Sequence, residues 1–202
     1  MKAVPQRPGV IWCGNSGGSH NGNGWGFPRA VERAIRNECV GSVLHLFGGR
    51  AAFGVRLDVD PITTPDVLGD AWMPPFAARS FGTVVLDPPY WRMNTQEADG
   101  LLRAAAMVAA ERVIWLHTVW MARRSYLEPL QSWLIRVGDF HQCRCLQVFR
   151  PLHGARLEWP RYFTRGPAVR YNKWLAGQTT IPFPDLAPGP RGTAAGTEGG
   201  RP

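Results

Sequence analysis

Long apolar runs are missing from this sequence, and cysteine is scarce. No stretch approaches the roughly 20 apolar residues that a membrane-spanning helix needs, and the first residues lack the basic start and apolar core of a secretion signal. The four cysteines have neither the paired short spacing of a zinc site nor the density of a disulfide-stabilised secreted domain. We therefore expect a soluble, cytoplasmic protein with reduced thiols, no membrane partner and no bound metal.

Acidic residues are in the minority. The chain has 23 lysines and arginines against 15 aspartates and glutamates, which gives a formal net charge of +8 and a pI near 10.0. Each cation placed against a phosphate releases a condensed counterion, so this balance favours a nucleic-acid partner, DNA first and RNA second. Enrichment in Arg, Ala, Gly and Pro is also typical of a GC-rich coding sequence, and that explanation stays open.

Large apolar side chains are also rare at the C-terminus, where residues 187–202 are mostly Gly, Pro, Ala and Thr. Such a segment cannot bury enough surface to offset the entropy lost on ordering, so we expect a disordered tail. Residues 1–27 are rich in Gly and Asn and predict a loop-rich, mobile segment. Residues 28–175 carry the apolar content of one catalytic domain.

Within that domain, apolar runs alternate with helical patterns. Pro28 is well placed to begin a helix that continues to Ile35, an alanine-rich helix is predicted over 97–110, and Leu127, Leu130, Leu134 and Val137 repeat at helical spacing. Strands are predicted at 42–47, 54–59, around 67–68, and at 83–86, 112–119, 143–149 and 158–164.

This alternation predicts an α/β fold with a doubly wound, seven-stranded and mostly parallel sheet that ends in a C-terminal antiparallel hairpin, formed by 143–149 and 158–164. In such sheets, ligands bind beyond the carboxyl ends of the strands. Three strands end in unusual residues: Phe47-Gly48-Gly49, Asp58-Val59-Asp60 and Asp87-Pro88-Pro89-Tyr90.

The first two strand ends suit a nucleoside cofactor. The glycines after Phe47 permit a sharp turn and close approach of a ligand, although two adjacent glycines are often only a structural turn. A carboxylate at the next strand end can accept hydrogen bonds from both ribose hydroxyls, and Asp58 is favoured over Asp60 because it ends the apolar run directly. Asp70 can accept from an adenine amino group, or it is simply a loop aspartate beside core aromatics.

The third strand end suits an amine substrate. Two prolines fix the backbone and remove two amide donors, so their carbonyls and the Asp87 carboxylate can converge as acceptors on one amino group. Tyr90 supplies a flat face for stacking. These features fit methylation of an aromatic amine, in which catalysis consists of positioning and electrostatics and needs neither a metal nor a strong base.

The chain resembles the amino-methyltransferases of DNA over roughly residues 26–164. Their catalytic motif reads D/N/S-P-P-Y/F/W, and the Asp form with Tyr is typical of adenine-N6 enzymes. The resemblance implies a class I methyltransferase fold of the Rossmann-like type, S-adenosylmethionine as cofactor and DNA adenine as substrate. It implies catalytic roles for Asp87, Pro88, Pro89 and Tyr90, and cofactor contacts for Phe27, Pro28, Phe47, Gly48, Gly49, Asp58 and Asp70.

The glycine motif departs from the family's D-P-F-x-G-x-G pattern. His45 stands where an acid is usual, Leu46 where proline is common and Ala51 where the last glycine falls. The imidazole of His45 can also be an ordinary hydrogen-bonded group at a strand end.

No insertion is large enough for a conventional target-recognition domain, so loops or a partner must supply specificity. The predicted nucleic-acid contacts are Trp91, Arg92, Arg123, Arg124, Arg161 and Arg165. Solvated arginines over core aromatics explain the same pattern. The open alternatives for function are N-methylation of RNA, cytosine N4 or protein glutamine, and a non-catalytic nucleic-acid-binding module of the same fold.

Overall fold

The apolar runs form a mixed β-sheet with a helix on each face. The computed structural model describes residues 9–12, 27–88, 93–118, 124–136 and 143–153. The strands are β1 (Gly9–Trp12), β2 (Val43–Leu46), β3 (Val55–Asp58), β4 (Val67–Leu68), β5 (Phe81–Leu86), β6 (Ala109–His117), β7 (Leu127–Arg136) and β8 (Cys143–Pro151). The helices are α1 (Arg29–Glu38) and α2 (Thr95–Val108), and a short 3-10 helix spans Pro61–Thr63.

The order of strands across the sheet is β1-β7-β8-β6-β5-β2-β3-β4. Strands β2 to β6 are parallel to their neighbours in this group, and β8 runs antiparallel between β6 and β7. The series β4-β3-β2-β5-β6 has the 3-2-1-4-5 order of a doubly wound α/β fold, which reverses between its first and fourth strands. The predicted fold class, Rossmann-like and of the class I methyltransferase type, is therefore confirmed.

Strand side chains alternate between two apolar layers, one beneath each helix. In β5, Val84 and Leu86 pack in the layer beneath α2, whereas Val85 packs in the layer beneath α1. Helix α1 closes its layer with the buried side chains of Val31 and Ile35. Strands that are buried on both faces have continuous apolar sequences, which is why β2, β5 and β6 are predictable from the sequence.

The connections from β2 to β3 and from β3 to β4 contain no α-helix. Residues 47–54 and 59–66 return the chain through turns and the 3-10 helix alone. Gly54 permits the connection from β2 to β3, because its φ is +74° and a Cβ there would lie 2.8 Å from the carbonyl oxygen of Val43. The glycine loop therefore packs directly on β3 and does not begin a helix.

The helix predicted from Leu127 onward is wrong, because this segment is strand β7. A proline inside a helix removes a hydrogen bond, and Pro129 is tolerated here because β1 pairs only with residues 133–136 of β7. A bulge between Pro129 and Gln131 shifts the alternation by one residue. Leu127 therefore packs beneath α2 and Ile135 beneath α1. Because the face that is buried changes along the strand, the spacing of its apolar residues resembles that of a helix.

Two further differences concern the edge of the sheet. The sequence predicts a loop-rich N-terminal segment, but residues 9–12 form β1, an eighth strand parallel to β7. Four residues are too few to show a period. The antiparallel pair of the hairpin is β7 with β8, which also pairs with β6. The predicted strand 158–164 lies outside the described residues.

Candidate active site

Three of the predicted site segments meet at the carboxyl edge of the sheet. Phe47–Gly49 follow β2, Asp58 ends β3, and Asp87–Pro88 follow β5. The ladders join β2 to β3 on one side and to β5 on the other, so the three strand ends lie side by side. The reversal of strand order falls between β2 and β5, which is where doubly wound sheets open a ligand crevice.

The loop after β2 is held close to β3. Phe47 has a φ of 61°, which is uncommon for a bulky residue and turns the chain sharply out of the strand. The Gly48 N–H donates to the carbonyl of Leu57 at 2.9 Å, and a Cβ at Gly48 would lie 2.6 Å from Cβ and 2.8 Å from Cα of Arg56. Only glycine fits this approach without displacing β3.

Asp58 is oriented by the loop that it supports. Its Oδ2 accepts from the Gly49 N–H at 3.0 Å, and its Oδ1 accepts from the Asp60 N–H at 3.0 Å. Each carboxylate oxygen retains a further lone pair for a ligand. Asp60 instead caps the 3-10 helix, because its Oδ1 accepts from the Ile62 N–H at 2.9 Å. This difference favours Asp58 over Asp60 as an acceptor for ribose hydroxyls.

Asp70 lies two residues beyond β4, beside an aromatic pair. Burial raises the pKa of its carboxyl, and the hydrogen bond from the Trp72 N–H to Oδ1 at 2.9 Å partly opposes that shift. The Trp72 ring meets the Phe47 ring edge to face, with centroids 5.3 Å apart, and its Nε1 donates to the Glu97 carbonyl at 3.1 Å. Trp72 thus links the glycine loop to the start of α2.

The predicted catalytic corner is described in part. Asp87 is half-buried and Pro88 is buried directly after the core strand β5. Pro89 and Tyr90 lie outside the described residues. The chain then enters α2 through Asn94, whose side chain accepts from two backbone N–H groups of the first turn while Glu97 accepts from the Asn94 N–H. This capping box fixes the first turn of α2.

His45 is buried between two aromatic rings on the α1 face. Its ring centroid lies 6.0 Å from that of Phe27 and 4.7 Å from that of Phe53, and its Nε2 has no hydrogen-bond partner. Burial lowers the pKa of His45 to about 4, so the imidazole is neutral at physiological pH. Phe27 and the N-cap residue Pro28 place the start of α1 beside this histidine.

His117, which the sequence analysis does not identify, lies at the end of β6, the strand that pairs with β5 on the side away from β2. His117 ends β6, and its Nε2 lies 2.9 Å from Oε1 of Gln147 in β8. Burial lowers the pKa of His117 to about 4, and the bond to Gln147 opposes the shift. A polar residue at the end of an apolar run was the available signal, but nothing in the sequence indicates that Gln147 faces it.

Of the predicted nucleic-acid contacts, only Arg124 is described. Its Nε lies 3.0 Å from Oδ1 of Asp99 without hydrogen-bond alignment, and Asp99 also binds Arg103 at 2.8 Å and the Tyr126 hydroxyl at 2.8 Å. The charge of Arg124 is thus partly compensated within the domain. The other predicted contacts lie outside the described residues: Trp91, Arg92, Arg123, Arg161 and Arg165.

No protein-family model and no curated protein matches the chain. Solved structures resemble it at low identity. Magnesium protoporphyrin IX methyltransferase from Synechocystis PCC 6803 is 13% identical, with a TM-score of 0.46 over 60% of this chain and 75% of that one. The N-methyltransferase NodS from Bradyrhizobium japonicum WM9 is 11% identical, with a TM-score of 0.47 over 60% and 83%. The strand order, and not these similarities, defines the fold.

No helix among the described residues is both long and apolar enough to cross a membrane. No group of three or more His, Cys, Asp or Glu side chains in that part of the chain could hold a metal ion.

Proposed function

We propose that this chain is an S-adenosylmethionine-dependent methyltransferase that acts on an exocyclic amine, N6 of adenine in DNA. The observation that carries the proposal is the common edge shared by Phe47–Gly49, Asp58 and Asp87–Pro88 around the reversal point of a doubly wound sheet. These segments follow the sheet strands in the same order as the cofactor and catalytic motifs of the DNA amino-methyltransferases.

The residues assigned to the cofactor suit a ligand that consists of a nucleoside and a charged amino-acid end. Asp58 is held with both oxygens directed by backbone N–H groups, which suits two ribose hydroxyl donors. Asp70, two residues beyond β4, is assigned to the adenine amino group, and Phe47 with Trp72 gives an apolar wall nearby. Phe27 and Pro28, at the start of α1, are assigned to the methionyl end. When bound, this cofactor supplies a methyl group on a positively charged sulfur.

The residues that follow β5 are assigned to the amine of the substrate. The Asp87 carboxylate and the carbonyls of Pro88 and Pro89 are assigned as acceptors for its two N–H groups, and Tyr90 as the stacking face. Acceptors on both hydrogens draw the nitrogen lone pair out of the aromatic ring and toward the methyl group. The target must leave the base stack to reach this corner, as in other enzymes that modify bases.

A nucleic-acid substrate is proposed because the chain carries a net charge of +8, which suits DNA and RNA alike. Adenine N6 in DNA is preferred to cytosine N4 because the Asp form of the motif is typical of the adenine-N6 enzymes among the DNA amino-methyltransferases. A direct test is to incubate the protein with labelled S-adenosylmethionine and separate pools of DNA, RNA and protein. Label in N6-methyladenine of DNA is the expected result.

The matched variants are Asp87→Ala and Glu111→Ala. Glu111 is an exposed acid of β6 at the opposite edge of the sheet, so its loss leaves the corner intact. We expect Asp87→Ala to abolish label transfer without weakening binding of S-adenosylhomocysteine, and Glu111→Ala to retain both. Transfer that survives in Asp87→Ala would overturn the assigned corner, and absence of cofactor binding in the wild type would overturn the methyltransferase proposal.

A further inference from the structure

Helix α1 carries two arginines on the side that faces away from the sheet. Arg29 and Arg33 are both exposed and lie four residues apart, which is about 6 Å along the helix axis. The buried residues Val31 and Ile35 each follow one of these arginines by two positions, slightly more than half a turn round the helix. Arg29 and Arg33 therefore form a basic stripe on the outer face of α1.

The acidic residues of α1 do not neutralise this stripe. Glu32 is bound to Arg36, with a distance of 2.8 Å between Oε1 and the guanidinium nitrogen. Glu38 comes about two and a half turns after Arg29, so it lies on the opposite side of the helix. Within the described residues, Arg29 and Arg33 form no ion pair. Both charges are therefore available to an anion from outside the chain.

The basic stripe begins at the same edge of the sheet as the candidate site. Helix α1 leads through residues 39–42 into the start of β2, so it ends near the amino edge and begins near the carboxyl edge. The position of Phe27, directly before α1, agrees with this direction, because its ring centroid lies 6.0 Å from that of His45 near the end of β2. Arg29 thus lies toward the edge at which Asp87–Pro88 follow β5.

Other cations of the described part of the chain have partners or lie elsewhere. Arg103 and Arg124 both bind Asp99, which partly compensates their charges. Arg79 is exposed, but it precedes β5 and therefore lies near the amino edge. Arg50 follows the glycines after β2 and adds an exposed cation at the carboxyl edge. Positive charge that is open to solvent is thus found on α1 and on the loop after β2, beside the candidate site.

We propose that Arg29 and Arg33 bind phosphates of the DNA backbone, so that the outer face of α1 is a docking surface for the DNA that carries the target base. This inference rests on the proposed function, which supplies the choice of DNA. Duplex DNA carries one negative charge per about 1.7 Å of its axis, so two cations about 6 Å apart can each meet a phosphate. Guanidinium groups suit phosphate because they can donate two parallel hydrogen bonds. Such contacts position the DNA and leave the choice of base to the corner.

The test compares two double variants that each remove two positive charges. Arg29→Gln with Arg33→Gln removes the stripe and keeps good helix formers in α1. Arg79→Gln with Arg112→Gln is the matched control, because Arg79 precedes β5 and Arg112 pairs with Thr83 near the start of that strand. Fluorescence anisotropy with duplex DNA at several salt concentrations measures binding, and calorimetry measures the Kd of S-adenosylhomocysteine.

We expect the stripe variant to bind DNA about tenfold more weakly and to reduce the slope of log K against log salt concentration by about two. The control should keep the wild-type slope, and both variants should keep the wild-type Kd for S-adenosylhomocysteine. Arg29→Lys with Arg33→Lys retains both charges and should also keep the slope. This lysine variant separates the loss of charge from any effect of the substitutions on folding.

An unchanged slope in the stripe variant, or an equal reduction in the control or in the lysine variant, would overturn the docking surface. Methyl transfer to DNA by the same wild-type protein would then leave the proposed function standing. If the stripe variant lost DNA binding as expected but the wild type transferred no methyl group, the proposed function would be overturned and the DNA contact of α1 would remain.

Discussion

At the scale of single residues, Asp58 and Asp60 are two carboxylates with different tasks. Asp58 receives one backbone N–H on each oxygen from the loops on either side of it, whereas Asp60 uses one oxygen to cap the 3-10 helix. The sequence favours Asp58 only because it ends an apolar run. The hydrogen bonds add a physical reason, because an acceptor held in place by backbone groups loses little entropy when a ligand binds.

We expect Asp58→Asn to raise the Kd of S-adenosylhomocysteine roughly ten- to a hundredfold, because charge-assisted hydrogen bonds of about 1.5–3 kcal/mol are weakened. Asp60→Asn is the matched change, and its amide oxygen can still accept from the Ile62 N–H. Titration calorimetry of both variants decides the assignment. If Asp60→Asn weakened binding and Asp58→Asn did not, the ribose role would pass to Asp60.

At the scale of secondary-structure elements, the strands that could be predicted from the sequence are those that are buried and regular. Strands β2, β5 and β6 are central, and their apolar runs are long enough to recognise. Strand β7 was mistaken for a helix because the bulge after Pro129 breaks the two-residue alternation. Strand β1 was missed because it has four residues and gains its place only by pairing with β7. Both errors arise from tertiary contacts that a local pattern does not contain.

Helix α2 gives a prediction at this scale, because its first turn follows the catalytic corner. Asn94→Ala removes the acceptor for the N–H groups of Gln96 and Glu97, and we expect a loss of about 1 kcal/mol in the free energy of unfolding. Asn94→Asp keeps the acceptor and should retain wild-type stability. Urea denaturation measures both, and equal stability of Asn94→Ala and wild type would show that the cap is not stabilising in solution.

At the scale of the whole molecule, the candidate site combines residues that a sequence can and cannot reveal. The positions of Asp58 and Asp87 follow from strand ends and the crossover rules of a parallel sheet. His117 and Gln147 come together only because β8 runs back between β6 and β7. A long-range antiparallel insertion leaves no local signal, so the contact between His117 and Gln147 could not be predicted.

Two buried histidines also give the whole molecule a pH-dependent stability. Burial lowers the pKa of both His45 and His117 from 6.5 to about 4 in the folded chain. Between these values the unfolded chain binds protons that the folded chain does not, so stability falls as the pH decreases from 6.5 to 4. Above pH 6.5 both states are neutral at these positions. The loss is on the order of 3 kcal/mol for each histidine across the window.

Urea denaturation at several pH values between 6.5 and 4 measures this effect. We expect His45→Asn and His117→Asn each to reduce the slope of unfolding free energy against pH by close to one proton, whatever their effect on stability at neutral pH. An unchanged slope in both buried variants would mean that His45 and His117 accept protons in the folded chain as readily as in the unfolded one.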